Sequence, residues 1–61
     1  MSDPKLVDIA GVKKHETERA WLADVGLEQP VWLPKSQVEY YDDFGGIFTM
    51  PEWLAIEKGL I

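Results

Sequence analysis

His15, the only histidine of the chain, stands beside Glu16 and close to Glu18. An imidazole next to carboxylates is a residue set for acid–base work or a weak metal site. On an extended strand, however, Glu16 and Glu18 share a face and His15 points away, which favours a solvated hairpin end. Asp42 and Asp43 precede Phe44-Gly45-Gly46; carboxylates in a glycine turn suit calcium, but the run lacks the spaced oxygen ligands of a built site and reads as an acidic turn. Ser36 as a nucleophile would need the single His15, and no Gly-x-Ser-x-Gly elbow surrounds it; a turn hydroxyl is the simpler reading. Gly45-Gly46 is not followed by Gly-Lys-Ser/Thr, so it is a turn rather than a phosphate cradle. No catalytic constellation emerges, and the chain reads as non-enzymatic, with no cofactor and no metal.

Two residue sets suit binding. Glu39, Tyr40, Tyr41, Asp42 and Asp43, with Asp24 and Glu28 elsewhere, make an acidic, aromatic-containing face. Such a face fits a protein partner with a basic surface, and tyrosine is a favoured interface anchor. Lys13, Lys14, Arg19 and Lys35 could instead gather beside Trp32 or Tyr40, the mix of bases and aromatics with which small barrels hold single-stranded nucleic acid.

Composition weighs between them. The chain has 61 residues and a net charge of −5. Residues 1–20 carry four bases and four acids, while residues 21–61 carry two bases and seven acids. An acidic domain repels phosphate backbones, which counts against nucleic acid. With no cysteine there is neither a disulfide nor a thiolate metal site, and one histidine rules out a multi-histidine cage. No apolar run approaches the ~20 residues of a membrane span, and Met1-Ser2-Asp3-Pro4-Lys5 lacks a signal pattern. The expected compartment is the cytoplasm, without membrane contact. A chain this short buries only about 60% of its unfolded surface. Its seven aromatic residues, each worth roughly 150–250 Å² of burial, are therefore expected to build the core. A homo-oligomer is compatible with that surplus.

The elements that must position these residues follow from pattern. Residues 1–5 read as a flexible end and residues 6–61 as a single small domain. Residues 6–12 fit a strand better than a helix, because too few residues precede Gly11 for a stable helix, and Gly11 marks a bend or bulge. Lys13–Glu18 is polar throughout and is either the exposed end of a hairpin or a solvated strand edge. Residues 19–25 alternate with apolar groups on both faces, as a central strand does, and Gly26–Pro30 is a hairpin loop. Val31-Trp32-Leu33 reads as the central strand of the fold, stopped at Pro34 and turned by Lys35-Ser36-Gln37. Residues 38–41 and 47–50 are two further strands around the turn at 42–46. Thr49 and Glu52 match a capping box, Phe48 and Trp53 the staple around it, Pro51 a first-turn proline, and Gly59 a left-handed stop on which Leu60 folds back. The helix, at about 51–58, must dock through Trp53, Leu54, Ile56 and Leu60. Together these predict a mainly β (α+β) fold. About five short antiparallel strands form a small barrel or strongly twisted sheet, with one C-terminal helix.

Trp32-Leu33-Pro34-Lys35-Ser36-Gln37-Val38 and Pro51-Glu52-Trp53-Leu54-Ala55, ending Lys58-Gly59-Leu60, resemble small proteins encoded by phages and prophages. In those proteins a strand ending in the same Trp-Leu/Ile-Pro-Lys-Ser-Gln run leads to a hairpin and a similar helix. His15–Ala20 is similar to their opening segment, so the resemblance spans about residues 12–61. It implies a phage or mobile-element accessory protein in a bacterial cytoplasm. Proteins of that kind bind and modulate a host or phage protein or support DNA metabolism, and the expectation here is a protein that binds another protein of host or phage.

Overall fold

The computed structural model describes residues 5–61. Six strands and one helix follow in order: β1 (Leu6–Ala10), β2 (Val12–Glu16), β3 (Ala20–Asp24), β4 (Val31–Pro34), β5 (Glu39–Tyr41), β6 (Ile47–Pro51) and α1 (Glu52–Glu57), with a 3-10 turn at Asp43–Gly45 between β5 and β6. The strands make two antiparallel three-stranded sheets, ordered β1-β6-β5 and β2-β3-β4. No ladder joins one sheet to the other among the described residues, so six strands form two sheets where about five strands in a small barrel or one strongly twisted sheet were expected.

The chain passes between the sheets twice, through residues 35–38 from β4 to β5 and, most tightly, at a single residue between β1 and β2. β1 and β2 belong to different sheets and only Gly11 separates them. The bend brings Gly11 against the loop after β3: a Cβ there would sit 2.8 Å from Val25 Cγ1 and 3.0 Å from the Asp24 carbonyl oxygen. Gly11 N–H donates to Gly46 O at 3.1 Å. Gly46, at φ 126°, has no room for a side chain because a Cβ would collide with the Gly11 carbonyl. Both glycines are thus required by close backbone approach.

Alternation is clear in β1 and β6, whereas β2, exposed at every position, shows none. In β1, Val7 and Ile9 turn inward against the core while Leu6, Asp8 and Ala10 are exposed. In β6, Phe48 and Met50 are fully buried, with Ile47 and Thr49 on the outer face. β3 is central in its sheet, as its two-sided apolar pattern requires. β4, expected to be central, is an edge; its last residue Pro34 has no N–H to offer a further strand, and an edge position tolerates that. After it, the Pro34 carbonyl accepts from Gln37 N–H and Val38 N–H, closing the predicted single turn.

Core composition departs from expectation. The fully or nearly buried set is Ala23, Leu33, Val38, Phe48, Met50, Leu54 and Ala55, with one aromatic ring among them. Trp21 and Tyr40 pack on Phe48, at ring centroid distances of 6.1 and 4.9 Å. Trp32, Tyr41, Phe44 and Trp53 are exposed. Short aliphatic side chains fill the narrow gap between two small sheets, and most of the larger rings stay at its margin.

The helix also starts differently. Thr49 is inside β6, where its hydroxyl donates to Asp8 Oδ1 at 2.7 Å, so it caps nothing. Pro51 is the N-cap rather than a first-turn residue, and Phe48 lies in the core instead of stapling Trp53. The first turn is held from outside: Glu52 N–H donates to the Lys5 carbonyl at 2.7 Å, and the Glu52 carboxylate meets Lys5 Nζ at 3.3 Å. Of the flexible end predicted for residues 1–5, Lys5 is therefore tied down, and the rest lies outside the described residues. Docking runs through Leu54, Ala55 and Leu60; Trp53 and Ile56, predicted to dock, are 52% and 58% exposed. The stop is as expected. Gly59 has φ 77°, its N–H donates to Ile56 O, and Leu60 N–H donates to Ala55 O, a Schellman pair.

Candidate functional site

The acidic face is built from the outer surface of β5 and the turn after it. Period-two alternation puts Glu39 and Tyr41 outward and Tyr40 inward. The Tyr41 hydroxyl donates to Glu39 Oε2. That bond, the Glu39 charge and the nearby Asp8 push the Tyr41 phenol above its ordinary range. Asp42 and Asp43 follow at the 3-10 turn, both exposed. Tyr40, expected to be exposed, is half-buried and supports the face from behind through Phe48 and Trp21. The structure thus brings Glu39 and Tyr41 together on the sheet, with Asp42 and Asp43 next to them in the turn.

That turn carries a residue the sequence reading passed over. Phe44 is 97% exposed and has φ 53°, the left-handed region that a bulky side chain rarely occupies. An aromatic ring held in strained backbone and given to solvent contributes nothing to the core. The signal was present in Asp42-Asp43-Phe44-Gly45-Gly46, where one large apolar residue interrupts turn formers.

Beside Phe44 lies a shallow cleft of about 400 Å³, widely open to solvent and lined by the β1–β2 junction (Ala10, Gly11, Val12), the end of β3 and its loop (Asp24, Val25, Gly26) and the turn (Phe44, Gly45, Gly46). Four of the five glycines of the chain meet there. Asp24 is the one charged side chain among the lining residues; its Oδ1 accepts Gly26 N–H at 3.1 Å, which fixes the carboxylate at the rim.

The basic set is divided. A bulge between Lys13 and His15 leaves Lys13 opposite Ala23 and Glu16 opposite Trp21, so both turn to the core side of the sheet. Glu16 then bridges two lysines, Lys13 Nζ at 3.0 Å and Lys35 Nζ at 2.5 Å. Those ammonium groups stand over the rings of Tyr40 and Trp21, at 5.2 and 5.5 Å. Hydrogen bonds from Lys35 and then Lys13 hold the Glu16 carboxyl down at about 2, and the bond to Glu16 raises the Lys13 ammonium. Lys13 and Lys35 are therefore partnered and stacked as a strap across Trp21 and Tyr40, whereas Lys14, in the bulge, and Arg19, in the β2–β3 turn, are exposed and outside it. His15 faces away and meets the Trp32 ring edge-on at 6.3 Å.

Among the described residues no helix is long and apolar enough to cross a membrane. No protein-family model matches the chain, and comparison with curated proteins and with solved structures gives no match.

Proposed function

We propose that this chain is a non-enzymatic accessory protein of a phage or mobile element, acting in the bacterial cytoplasm by binding another protein. The contact face comprises Glu39, Tyr41, Asp42 and Asp43, backed by Tyr40. The observation that carries this reading is Phe44, solvent-exposed and strained between the acidic pair and the glycines. Exposed aromatics rimmed by charge are what interfaces use as anchors, and backbone strain is retained where function needs it. Engagement of Lys13 and Lys35 by Glu16 also supports a protein over a single-stranded nucleic acid, because it leaves little free positive charge beside the aromatics.

The test is capture from bacterial lysate with the tagged full chain, with and without nuclease, read by mass spectrometry. A stoichiometric protein that survives nuclease and is lost on Tyr41→Ala with Glu39→Gln is the expected result. Capture that disappears with nuclease and on Lys14→Glu with Arg19→Glu would instead establish nucleic-acid binding. Those two substitutions leave the lysine–glutamate strap intact.

A further inference from the structure

We propose that the cleft between Gly11, Val25 and Phe44 receives an apolar side chain of a partner protein segment that carries lysine or arginine next to it. This deepens the protein-binding reading and rests on it. The apolar requirement comes from the walls. Val12, Val25 and Phe44 supply the large side chains of the lining, and glycines at 26 and 45 leave the space beside them unfilled. At Gly26 and Gly45 an added Cβ would meet nothing within 4 Å, so the mouth is open at both loops. Val12 and Phe44 are both exposed, and their apolar surface is removed from water only by an occupant.

The basic requirement comes from the rim. Asp24 lines the cleft, and Asp42 and Asp43 immediately precede Phe44 in the same turn. No lysine or arginine is among the lining residues. The net charge of −5 gives the same sign at long range, which speeds the approach of a basic segment and repels an anionic one. Charge complementarity therefore selects a cationic peptide segment over a phosphate-bearing ligand.

The test uses the isotopically labelled full chain and follows backbone amides by NMR during titration with three end-blocked peptides, Lys-Phe-Lys, Gln-Phe-Gln and Lys-Gly-Lys, up to millimolar concentration. Lys-Phe-Lys is expected to move Gly11, Gly26, Gly45 and Gly46. Loss of either the ring or the charges weakens binding, the charges by about fivefold at low salt. Asp24→Asn combined with Asp43→Asn weakens Lys-Phe-Lys to the same degree; the asparagine at 24 retains the oxygen that accepts Gly26 N–H, so the loop is kept. Cleft amides that stay still, or that move equally for all three peptides, overturn the inference. Cleft shifts that follow protein concentration without peptide overturn it as well, by naming a second copy of the chain as the occupant. If the cleft stays silent while nuclease-resistant capture persists and depends on Tyr41 and Glu39, this inference fails and the protein-binding reading stands. Should capture itself fail, the reading falls.

Discussion

Glu16 illustrates how much one carboxylate can organise in a chain without a large core. It accepts from two lysines on different elements and so ties β2 to the turn after β4. Its folded-state value of about 2 lies below the ordinary 4.5. A depressed carboxyl contributes stability that is present above its unfolded value and is lost as pH falls through the folded one. The acid limb of unfolding is therefore expected between about pH 4.5 and 2, and Glu16→Gln should flatten that limb in a urea-melt series across pH. An unchanged pH profile would show that the two ion pairs of Glu16 add no stability. This strap was not legible in the sequence, because positions three apart on a regular strand face opposite ways, and only the bulge reunites Lys13 and Glu16. Phe44 offers the second test at this scale. Asparagine tolerates the left-handed region far better than phenylalanine, so Phe44→Asn should stabilise the fold by about 1 kcal/mol while weakening partner binding. Denaturant midpoints and capture assays moving in opposite directions would identify the strain as functional, and a loss of stability would refute it.

Among the elements, α1 separates what pattern can and cannot reveal. Its end was readable because Gly59 at a positive φ and an apolar residue after it are demanded by backbone geometry alone. Its start was misread because Thr49-Met50-Pro51-Glu52 satisfies the spacing of a capping box, yet pairing of β6 with β1 and β5 on both sides keeps Thr49 extended. Tertiary pairing outweighed a local signal worth about 1 kcal/mol. The consequence for the docking face is measurable. Leu54→Ala removes a buried side chain and should cost about 2–5 kcal/mol, whereas Trp53→Ala should cost about 1 kcal/mol or less, since half of that ring is already in water. Comparable losses for the two would place Trp53 in the core after all. β3 was legible from alternation, but β2 was not, because Val12–Glu16 is exposed along its whole length and shows no two-sided pattern, and the rank of β4 within its sheet depends on which chain segment lies beyond it. The acidic face was legible as composition; the inward turn of Tyr40 and the cleft were not, because both arise from how the two sheets meet.

At the level of the whole molecule, one bent run of chain belongs to both sheets. β2, β3 and β4 are joined by consecutive hairpins, so their pairing closes only short loops. β1 is different: its partner is β6, and the bond between Thr49 and Asp8 spans 41 positions. Loop closure over that distance is entropically slow. During synthesis, at about 5–20 residues per second, β1 is made seconds before the strand that will cover its edge exists. The first strand to be made is thus the last to be paired, and the rate-limiting step of folding should already contain the β2-β3-β4 meander without β1. Stopped-flow kinetics of Val7→Ala and Leu33→Ala will check this: the first substitution should act almost wholly on unfolding and the second should slow folding. A newborn chain would meanwhile expose an unpaired β1 in the cell, and that interval of vulnerability follows from asking Gly11 to divide one run of chain between two sheets.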